Sequence, residues 1–411
     1  MDQGSCVHGY HMALALRDLG VQVGIACHRP PPETAPGPMR RMSIAWPASS
    51  DEDLSRLMGG WRGVGSVARR RLARYQGRDL RRFAGVISLV DRLKPSVVIG
   101  LGQHGPLMLK ALSGSGHPKC VWYAADEPVY FQLSCMRREP VTMWPSRWSK
   151  IVLYAALEAL FVRGLDGAVG VSPLDSRLLR WIGGVRRVTT IRNGVDLDRY
   201  RPATPATSNI RPRSLVFWGR MDFEPNVDAV AWFAKSVWPK LRWYRPDATW
   251  QIVGKHPDPR VQQLASLPGV QVLGEVADIR PYAQAASVTI LPMRCGGGIK
   301  NKLLEAAAMG RPIVASPRAV RGLVLDRDRP PALQCTSPDQ WVHAIRRLWS
   351  DTSLALSLGR NARTWVQRDH TWSVAARTLR DWLASMPNGP LLPGRGESDA
   401  AGRADVIKIA A

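Results

Sequence analysis

The sequence has no closely spaced cysteine pair, no long apolar run and few acidic residues. The first two absences argue against particular classes of protein. Its 411 residues contain six scattered cysteines with no Cys-x-x-Cys pair, which argues against a disulfide framework and against a zinc site. No run of about 18 or more apolar residues is present, and the N-terminus lacks the basic-then-apolar order of a signal peptide. The sequence therefore predicts neither a membrane span nor export, and we expect a cytoplasmic protein.

The shortage of acidic residues leaves a strongly basic chain. Lysine and arginine number 57 against 33 aspartates and glutamates, a formal net charge of +24. Such an excess favours an acidic partner: nucleic acid, an anionic membrane surface or a phosphorylated substrate. Nucleic acid is disfavoured, because the basic stretches show no recognition module and no ladder of aromatic residues. The arginines from Arg69 to Arg82 lie in a candidate basic amphipathic helix, which either contacts anionic lipid headgroups or is a solvated surface helix.

Apolar, strand-like runs alternate with helical patterns along the chain. This alternation predicts an α/β protein with two parallel, helix-flanked sheets. The proline-rich stretch from Arg201 to Pro212 is interpreted as the interdomain linker. Residues 1–200 and 201–370 are then two Rossmann-like domains, 371–386 a C-terminal helix packing back towards the first domain, and 387–411 a disordered tail.

The start of the chain departs from this pattern. A loop at Asp2 to Ser5 passes directly into a helix predicted for His8 to Leu19 and a strand predicted for Val21 to Cys27. The first N-terminal strand, expected before that loop, is apparently missing. Its loss would leave long unpaired hydrogen-bonding edges on the neighbouring strands. We therefore expect an upstream start or a truncated gene.

A glycine-rich turn is the most informative motif. Gly296, Gly297 and Gly298 follow a predicted buried strand and lead into a helix that carries Lys300 and Lys302. Glycines let backbone N–H groups approach a ligand, and a helix N-terminus attracts phosphate. The pattern predicts an anion site, in particular for a sugar nucleotide. The alternative is a flexible connection followed by solvated lysines.

Further strand ends in the C-terminal half form a set with the glycine-rich turn. The segments are Phe217-Trp218-Gly219-Arg220-Met221-Asp222 with Pro225-Asn226, Ile252-Val253-Gly254, Leu273-Gly274-Glu275-Val276, and Gly296 to Glu305. The set resembles retaining glycosyltransferase family 4, whose members have the GT-B architecture of two facing Rossmann-like domains with a cleft between them.

The resemblance implies roles for individual residues. The C-terminal domain binds the donor, and the N-terminal domain binds the acceptor. Many members have a carboxylate where Gly297 stands here, while others have a glycine-rich loop, Lys-x-Lys and a single glutamate, as this chain does. In the implied donor site, Arg220 beside Gly219 holds the diphosphate, Glu305 accepts hydrogen bonds from the ribose hydroxyls, and the remaining contacts come from Gly4, Gly254, Val276, Gly296, Gly297, Gly298, Ile299, Lys300 and Lys302.

The acceptor side is predicted from two strand ends of the N-terminal half. His104 follows one strand and Asp126 another, and both ends would open onto the cleft. Asp126 is the preferred polar group near the reaction centre, and His104 a second acceptor contact. The alternatives are that Asp126 caps a helix and that His104 is an ordinary loop histidine.

The implied reaction is transfer of a sugar from a nucleoside-diphosphate sugar, of UDP or GDP type, to a polysaccharide or lipid-linked acceptor. The leaving diphosphate gains negative charge, which Arg220, Lys300, Lys302 and the amides of Gly296 to Ile299 would stabilise without a metal or another cofactor. Asp126, Arg220 and Lys300 are the predicted catalytic residues. Two alternatives stay open: a sugar-nucleotide epimerase of the same architecture, and an inactive basic scaffold at a membrane surface.

Overall fold

A computed structural model describes residues 4–27, 37–45, 49–61, 84–102, 105–113, 118–204, 209–324, 330–387 and 406–410. The chain divides into two compact units. The first unit comprises residues 1–130, 144–192 and 372–411, and the second comprises 131–143 and 193–371. The boundary therefore falls at residue 193, close to the expected linker. The segment from Arg69 to Arg82 and the predicted acceptor residue His104 lie outside the described residues.

The first unit contains a seven-stranded parallel sheet with strand order β2-β1-β13-β3-β4-β5-β6. Its central strands are continuous apolar runs, as expected where helices cover both faces of a sheet. The strands are β1 (Gln22–Cys27), β2 (Ser43–Ala45), β3 (Val97–Leu101), β4 (Lys119–Ala124), β5 (Gly167–Gly170), β6 (Val188–Thr190) and β13 (Val406–Ala410).

Helices alternate with these strands and build the first unit's core. A buried T-shaped contact joins Trp61 to Phe161, and it belongs to an apolar cluster on one side of the sheet. The helices are α1 (Gly4–Asp18), α2 (Gly37–Met42), α3 (Asp51–Gly59), α4 (Val86–Leu93), α5 (Gly105–Leu112), α6 (Pro128–Met136, continuing into the second unit), α7 (Trp144–Leu157), α8 (Pro173–Trp181) and α17 (Trp372–Ala384). A π-helical turn, Glu158–Val162, follows α7.

The position of strand β13 corrects, for residues 406–410, the expectation that residues 387–411 are a disordered tail. It also corrects the expectation that the missing strand before α1 leaves the neighbouring strands unpaired. Instead Val406–Ala410 pairs in parallel with β1 on one side and β3 on the other, so a central position of the sheet is filled from the C-terminal end of the chain. The run Val-Ile-Lys-Ile-Ala has the β-branched composition of a strand, and the two neighbouring strands offer it hydrogen-bonding edges.

The second unit contains a six-stranded parallel sheet with strand order β12-β11-β10-β7-β8-β9. The strands are β7 (Arg211–Trp218), β8 (Thr249–Val253), β9 (Val270–Gly274), β10 (Ala286–Leu291), β11 (Ile313–Ala315) and β12 (Leu333–Gln334). The helices are α9 (Glu224–Ser236), α10 (Trp238–Tyr244), α11 (Pro259–Gln262), α12 (Arg280–Ala285), α13 (Asn301–Ala308), α14 (Pro317–Val320), α15 (Pro338–Ser350) and α16 (Thr352–Asp369).

One predicted helix of the second unit is divided. The sequence shows an uninterrupted helical pattern from Asn226 to Arg242, which predicts a single helix, whereas α9 ends at Ser236 and α10 begins at Trp238. Pro239 explains the break, because proline lacks an N–H donor and its ring clashes with the carbonyl group four residues earlier, that of Lys235. The break lies in the C-terminal part of the predicted helix, so Asn226 remains in the first turn of α9.

Candidate active site

The glycine-rich loop connects β10 to α13 and has a backbone that only glycine adopts easily. Gly296 and Gly298 have φ angles of 96° and 60°, in the left-handed region. The amide of Gly296 donates to the hydroxyl of Ser134 at 2.9 Å, and the ammonium of Lys300 donates to the carbonyl oxygen of Gly297. Among the described residues no side chain caps α13 at Lys300, so the helix start presents amide groups of the kind that bind phosphate.

Lys302, in the first turn of α13, turns into the protein. Its half-buried ammonium donates to Oδ1 of Asn226 at 2.6 Å and lies 4.2 Å from the centroid of the Phe217 ring. Burial, with a smaller contribution from the charge of Lys300, lowers the pKa of Lys302 to about 7. The lysine is therefore partly neutral at physiological pH and gains positive charge when an anion arrives beside it.

Glu305 lies one turn further along α13 and is also half-buried. Its Oε2 accepts a hydrogen bond from Nε1 of Trp218 at 2.7 Å, and Tyr200 lies near the same carboxylate. Burial raises the pKa of Glu305, while the bond from Trp218 and the charge of Lys302 oppose that rise. A fixed carboxylate with remaining acceptor capacity suits hydroxyl groups such as those of a ribose.

Two glycines allow the strand ends beneath this cluster to approach one another. A Cβ atom on Gly219 would lie 2.8 Å from Nδ2 of Asn226 and 2.9 Å from Nζ of Lys302. A Cβ atom on Gly254 would lie 1.6 Å from the carbonyl oxygen of Gly219, which no side-chain movement relieves. The loops after β7 and β8 therefore pack as they do only because both positions are glycine.

Arg220 forms an ion pair beside this cluster. Its guanidinium is exposed and donates twice to Asp222, at 3.0 Å and 2.7 Å. Its backbone carbonyl accepts from Nδ2 of Asn226 at 2.7 Å. Asn226 thus joins the Arg220 turn to Lys302, a role that sequence reasoning did not assign. The signal was its place at a helix start, directly after the glycine-arginine turn.

Two other predicted donor residues, Gly254 and Val276, lie in the loops that follow β8 and β9. Val276 is half-buried and packs against the core of the unit after β9. Beside it, Glu275 pairs with Lys255 at 2.7 Å, and the amide of Gly254 donates to the carbonyl of Gly274 at 2.8 Å. The structure therefore brings the loops after β7, β8 and β9 together at the carboxyl edge of one parallel sheet, which is where such sheets bind ligands.

The predicted residues of the first unit are less fully described. Asp126 is exposed and lies two residues after the end of β4. The helix-capping role considered for Asp126 belongs to its neighbour Glu127, whose carboxylate accepts from the amides of Val129 at 2.9 Å and Tyr130 at 2.6 Å. Gly4 begins α1, so the expected phosphate-facing loop is already helical at that residue.

Two features are absent from the described residues. No helix in those ranges is both long and apolar enough to cross a membrane. No three histidine, cysteine, aspartate or glutamate side chains of the same ranges converge as a set of metal ligands.

Two family models and a known relative match the chain. A family model described as Glycosyltransferase Family 4 matches residues 3–199, and one described as Glycosyl transferases group 1 matches residues 212–351. A GDP-mannose-dependent alpha-(1-6)-phosphatidylinositol monomannoside mannosyltransferase of Mycobacterium tuberculosis is 26% identical over 326 residues, which is 70% of this chain and 82% of the relative.

Solved structures agree with the fold. Sucrose-phosphate synthase from Thermosynechococcus elongatus superposes with a TM-score of 0.66 at 17% identity, over 92% of both chains. A glycosyltransferase from Rickettsia africae gives 0.61 at 14% identity, over 92% of this chain and 94% of that one. WaaG, a glycosyltransferase involved in lipopolysaccharide biosynthesis, gives 0.60 at 15% identity, over 92% and 95%. These likenesses confirm the predicted GT-B fold, and the family models confirm the resemblance.

Proposed function

The chain belongs to glycosyltransferase family 4 and is a glycosyltransferase using a nucleotide sugar, and on that premise we propose a retaining, metal-independent transfer to a lipid-linked or polysaccharide acceptor. The observation that carries the proposal is the cluster around α13. Lys302, Glu305 and the glycine-rich loop meet there in one half-buried patch, which offers a cation, a carboxylate and backbone amides within two helical turns.

The diphosphate of the donor is proposed to bind at the start of α13. The amide of Gly296 donates to Ser134, so we assign the amides of Gly297, Gly298 and Ile299 as the loop donors to phosphate oxygens. Lys300 and Arg220 are held by a carbonyl oxygen and by an exposed carboxylate, respectively. An exposed ion pair contributes about 0–1 kcal/mol, so a diphosphate displaces Asp222 from Arg220 at small expense.

These positive groups also define the proposed chemistry. Breaking the anomeric bond leaves negative charge on the departing diphosphate, and Arg220, Lys300 and Lys302 stabilise that charge where it develops. Glu305 holds the ribose hydroxyls and thereby fixes the nucleotide. Three cations with helix amides supply the electrostatic stabilisation that a metal ion would otherwise provide, and this is the basis for proposing metal independence.

The donor proposed first is GDP-mannose, and the acceptor a lipid-linked glycan. Support comes from the mycobacterial relative, whose name gives GDP-mannose as donor and phosphatidylinositol monomannoside as acceptor. The net charge of +24 suits an anionic acceptor at a membrane surface, with Arg69 to Arg82 as the proposed contact. Asp126 and His104 remain the proposed acceptor-side residues, and UDP-sugars remain the second donor class.

A single substitution tests the diphosphate site. Lys300→Ala removes one cation from the loop and should weaken binding of both GDP and GDP-mannose, measured by isothermal titration calorimetry. Lys240→Ala is the matched control, because Lys240 lies on α10 and pairs with Asp339 at 2.6 Å. Undiminished affinity of the Lys300 variant for both ligands would remove this lysine from the site.

Product analysis separates the remaining functions. Purified protein is incubated with radiolabelled GDP-mannose, or with UDP-glucose, and a bacterial lipid extract. Label in the lipid fraction supports transfer. Interconversion of the nucleotide sugar without acceptor supports an epimerase, and absence of nucleotide-sugar binding leaves only a scaffold.

A further inference from the structure

Two buried glutamates meet beside the strand end that carries Asp126. Glu127 is 0% exposed, and Glu158 is 3% exposed. Burial raises the pKa of Glu127, and hydrogen bonds from two backbone N–H groups in the first turn of α6 oppose that rise. Glu158 is the first residue of the π-helical turn after α7. Both residues belong to the first unit, and neither has a role in the reaction described above.

Glu158 has a different environment from its partner. Neither carboxyl oxygen of Glu158 receives a donor among the described residues, and its side chain lies in hydrogen-bonding contact with the carboxylate of Glu127. Burial, and then the charge of Glu127, raise the pKa of Glu158 far above its ordinary value. Two ionised carboxylates in contact in a buried site repel each other strongly, so one of the pair holds a proton.

Two charged side chains near the π-helical turn bind partners other than Glu158. Lys110, on helix α5 beside the π-helical turn, donates to the carbonyl oxygen of Arg163 at 2.8 Å. Asp166, after that turn, pairs with Lys119 at 3.3 Å. Among the described residues, Glu127 is thus the charged neighbour that acts on Glu158. The π-helical turn is an irregularity of a kind often found at functional sites, and here it begins at the residue that meets Glu127.

We propose that Glu158 is a positioning residue for glycosyl transfer: it stays protonated, donates its O–H to the carboxylate of Glu127, and so fixes the start of α6 and the adjoining strand end that presents Asp126. Glu127 joins the two elements, because it accepts from α6 on one side and from Glu158 on the other. The kinetic part of this inference rests on the proposed role of Asp126. The protonation of Glu158 does not.

Substitution by glutamine and by leucine tests the pair. Glu158→Gln keeps the size and supplies an N–H donor without a titrating proton, whereas Glu158→Leu removes the donor. We expect Glu158→Leu to lower kcat for transfer from GDP-mannose at least tenfold with unchanged GDP affinity, and Glu158→Gln to restore most of kcat. Glu52→Gln, at an exposed position on α3, is the control and should behave as the wild type.

The pH dependence of Tm provides a readout that needs no activity. Because the folded protein holds a proton that an unfolded glutamate lacks above its ordinary pKa, wild-type stability falls as pH rises, by about tenfold in the unfolding equilibrium constant per unit. Glu158→Gln lacks this component, so its Tm rises relative to that of the wild type between pH 6 and pH 9. Parallel curves would overturn the protonated pair even if transfer is never detected, and full kcat in Glu158→Leu would overturn the positioning role.

Discussion

Replacement of Lys302 tests whether the half-buried cation of α13 binds the donor diphosphate. Its ammonium donates to Asn226 at 2.6 Å and lies 4.2 Å from the centroid of the Phe217 ring. A hydrogen bond to a charged group contributes about 1.5–3 kcal/mol, so we expect Lys302→Met to weaken GDP binding by roughly thirtyfold. Lys240→Met, remote on α10, should leave GDP affinity unchanged.

GDP binding should also depend on pH through this lysine. Burial and Lys300 hold the pKa of Lys302 at about 7 in the free protein, so only part of the population is charged at neutral pH. An anionic ligand raises that pKa, and binding therefore takes up a proton. Affinity then falls as pH rises above 7, by about tenfold per unit until the pKa of the bound state is reached. Lys302→Arg stays charged throughout and should abolish this component.

The measurement is isothermal titration calorimetry of GDP between pH 6 and pH 9, in two buffers with different ionisation enthalpies. The buffer difference counts the protons taken up. We expect uptake in the wild type above pH 7 that is absent from both Lys302 variants. Equal proton uptake in the wild type and Lys302→Arg, or equal affinity in the wild type and Lys302→Met, would refute the assignment.

Three further predictions concern the surroundings of the site and the sheet. Trp218→Phe removes the donor to Glu305 and should weaken GDP binding by roughly fivefold in calorimetry, with little change in Tm. Gly254→Ala places a methyl group 1.6 Å from a backbone oxygen and should lower stability by about 3 kcal/mol or more, measured by thermal unfolding, whereas Gly59→Ala meets open space and should be neutral. A chain ending at Arg403 lacks β13, and hydrogen exchange of β1 and β3 should then be faster; unchanged protection would refute the strand's role.

The sequence predicts much of the second unit, because its signals are local. Continuous apolar runs identify β7 to β10, and the glycine triplet with its following helix identifies the loop. Asn226 and Ser134 could not be assigned, since their roles depend on segments far away in sequence: Asn226 contacts a residue 76 positions later and Ser134 one 162 positions later. A single polar residue has no sequence pattern that predicts such a contact.

Strand β13 shows a second limit of sequence reasoning. Its five residues follow a stretch rich in glycine, alanine and charged residues, a composition that predicts disorder. Its pairing partners, β1 and β3, are more than 300 positions earlier in the chain. Strand pairing over such separations leaves no local periodicity. The order of loop, helix and strand at the N-terminus nevertheless indicated that a central strand was missing there. It did not indicate that the C-terminal end of the chain supplies this strand.

The stereochemistry of the product tests the central claim most directly. The protein is incubated with GDP-mannose, an α-configured donor, and a lipid extract in the presence of EDTA, and the anomeric configuration of the new linkage is determined by NMR spectroscopy. The account predicts an α-linked product formed at an undiminished rate. A β-linked product, or transfer that EDTA abolishes and added Mg²⁺ restores, would contradict it.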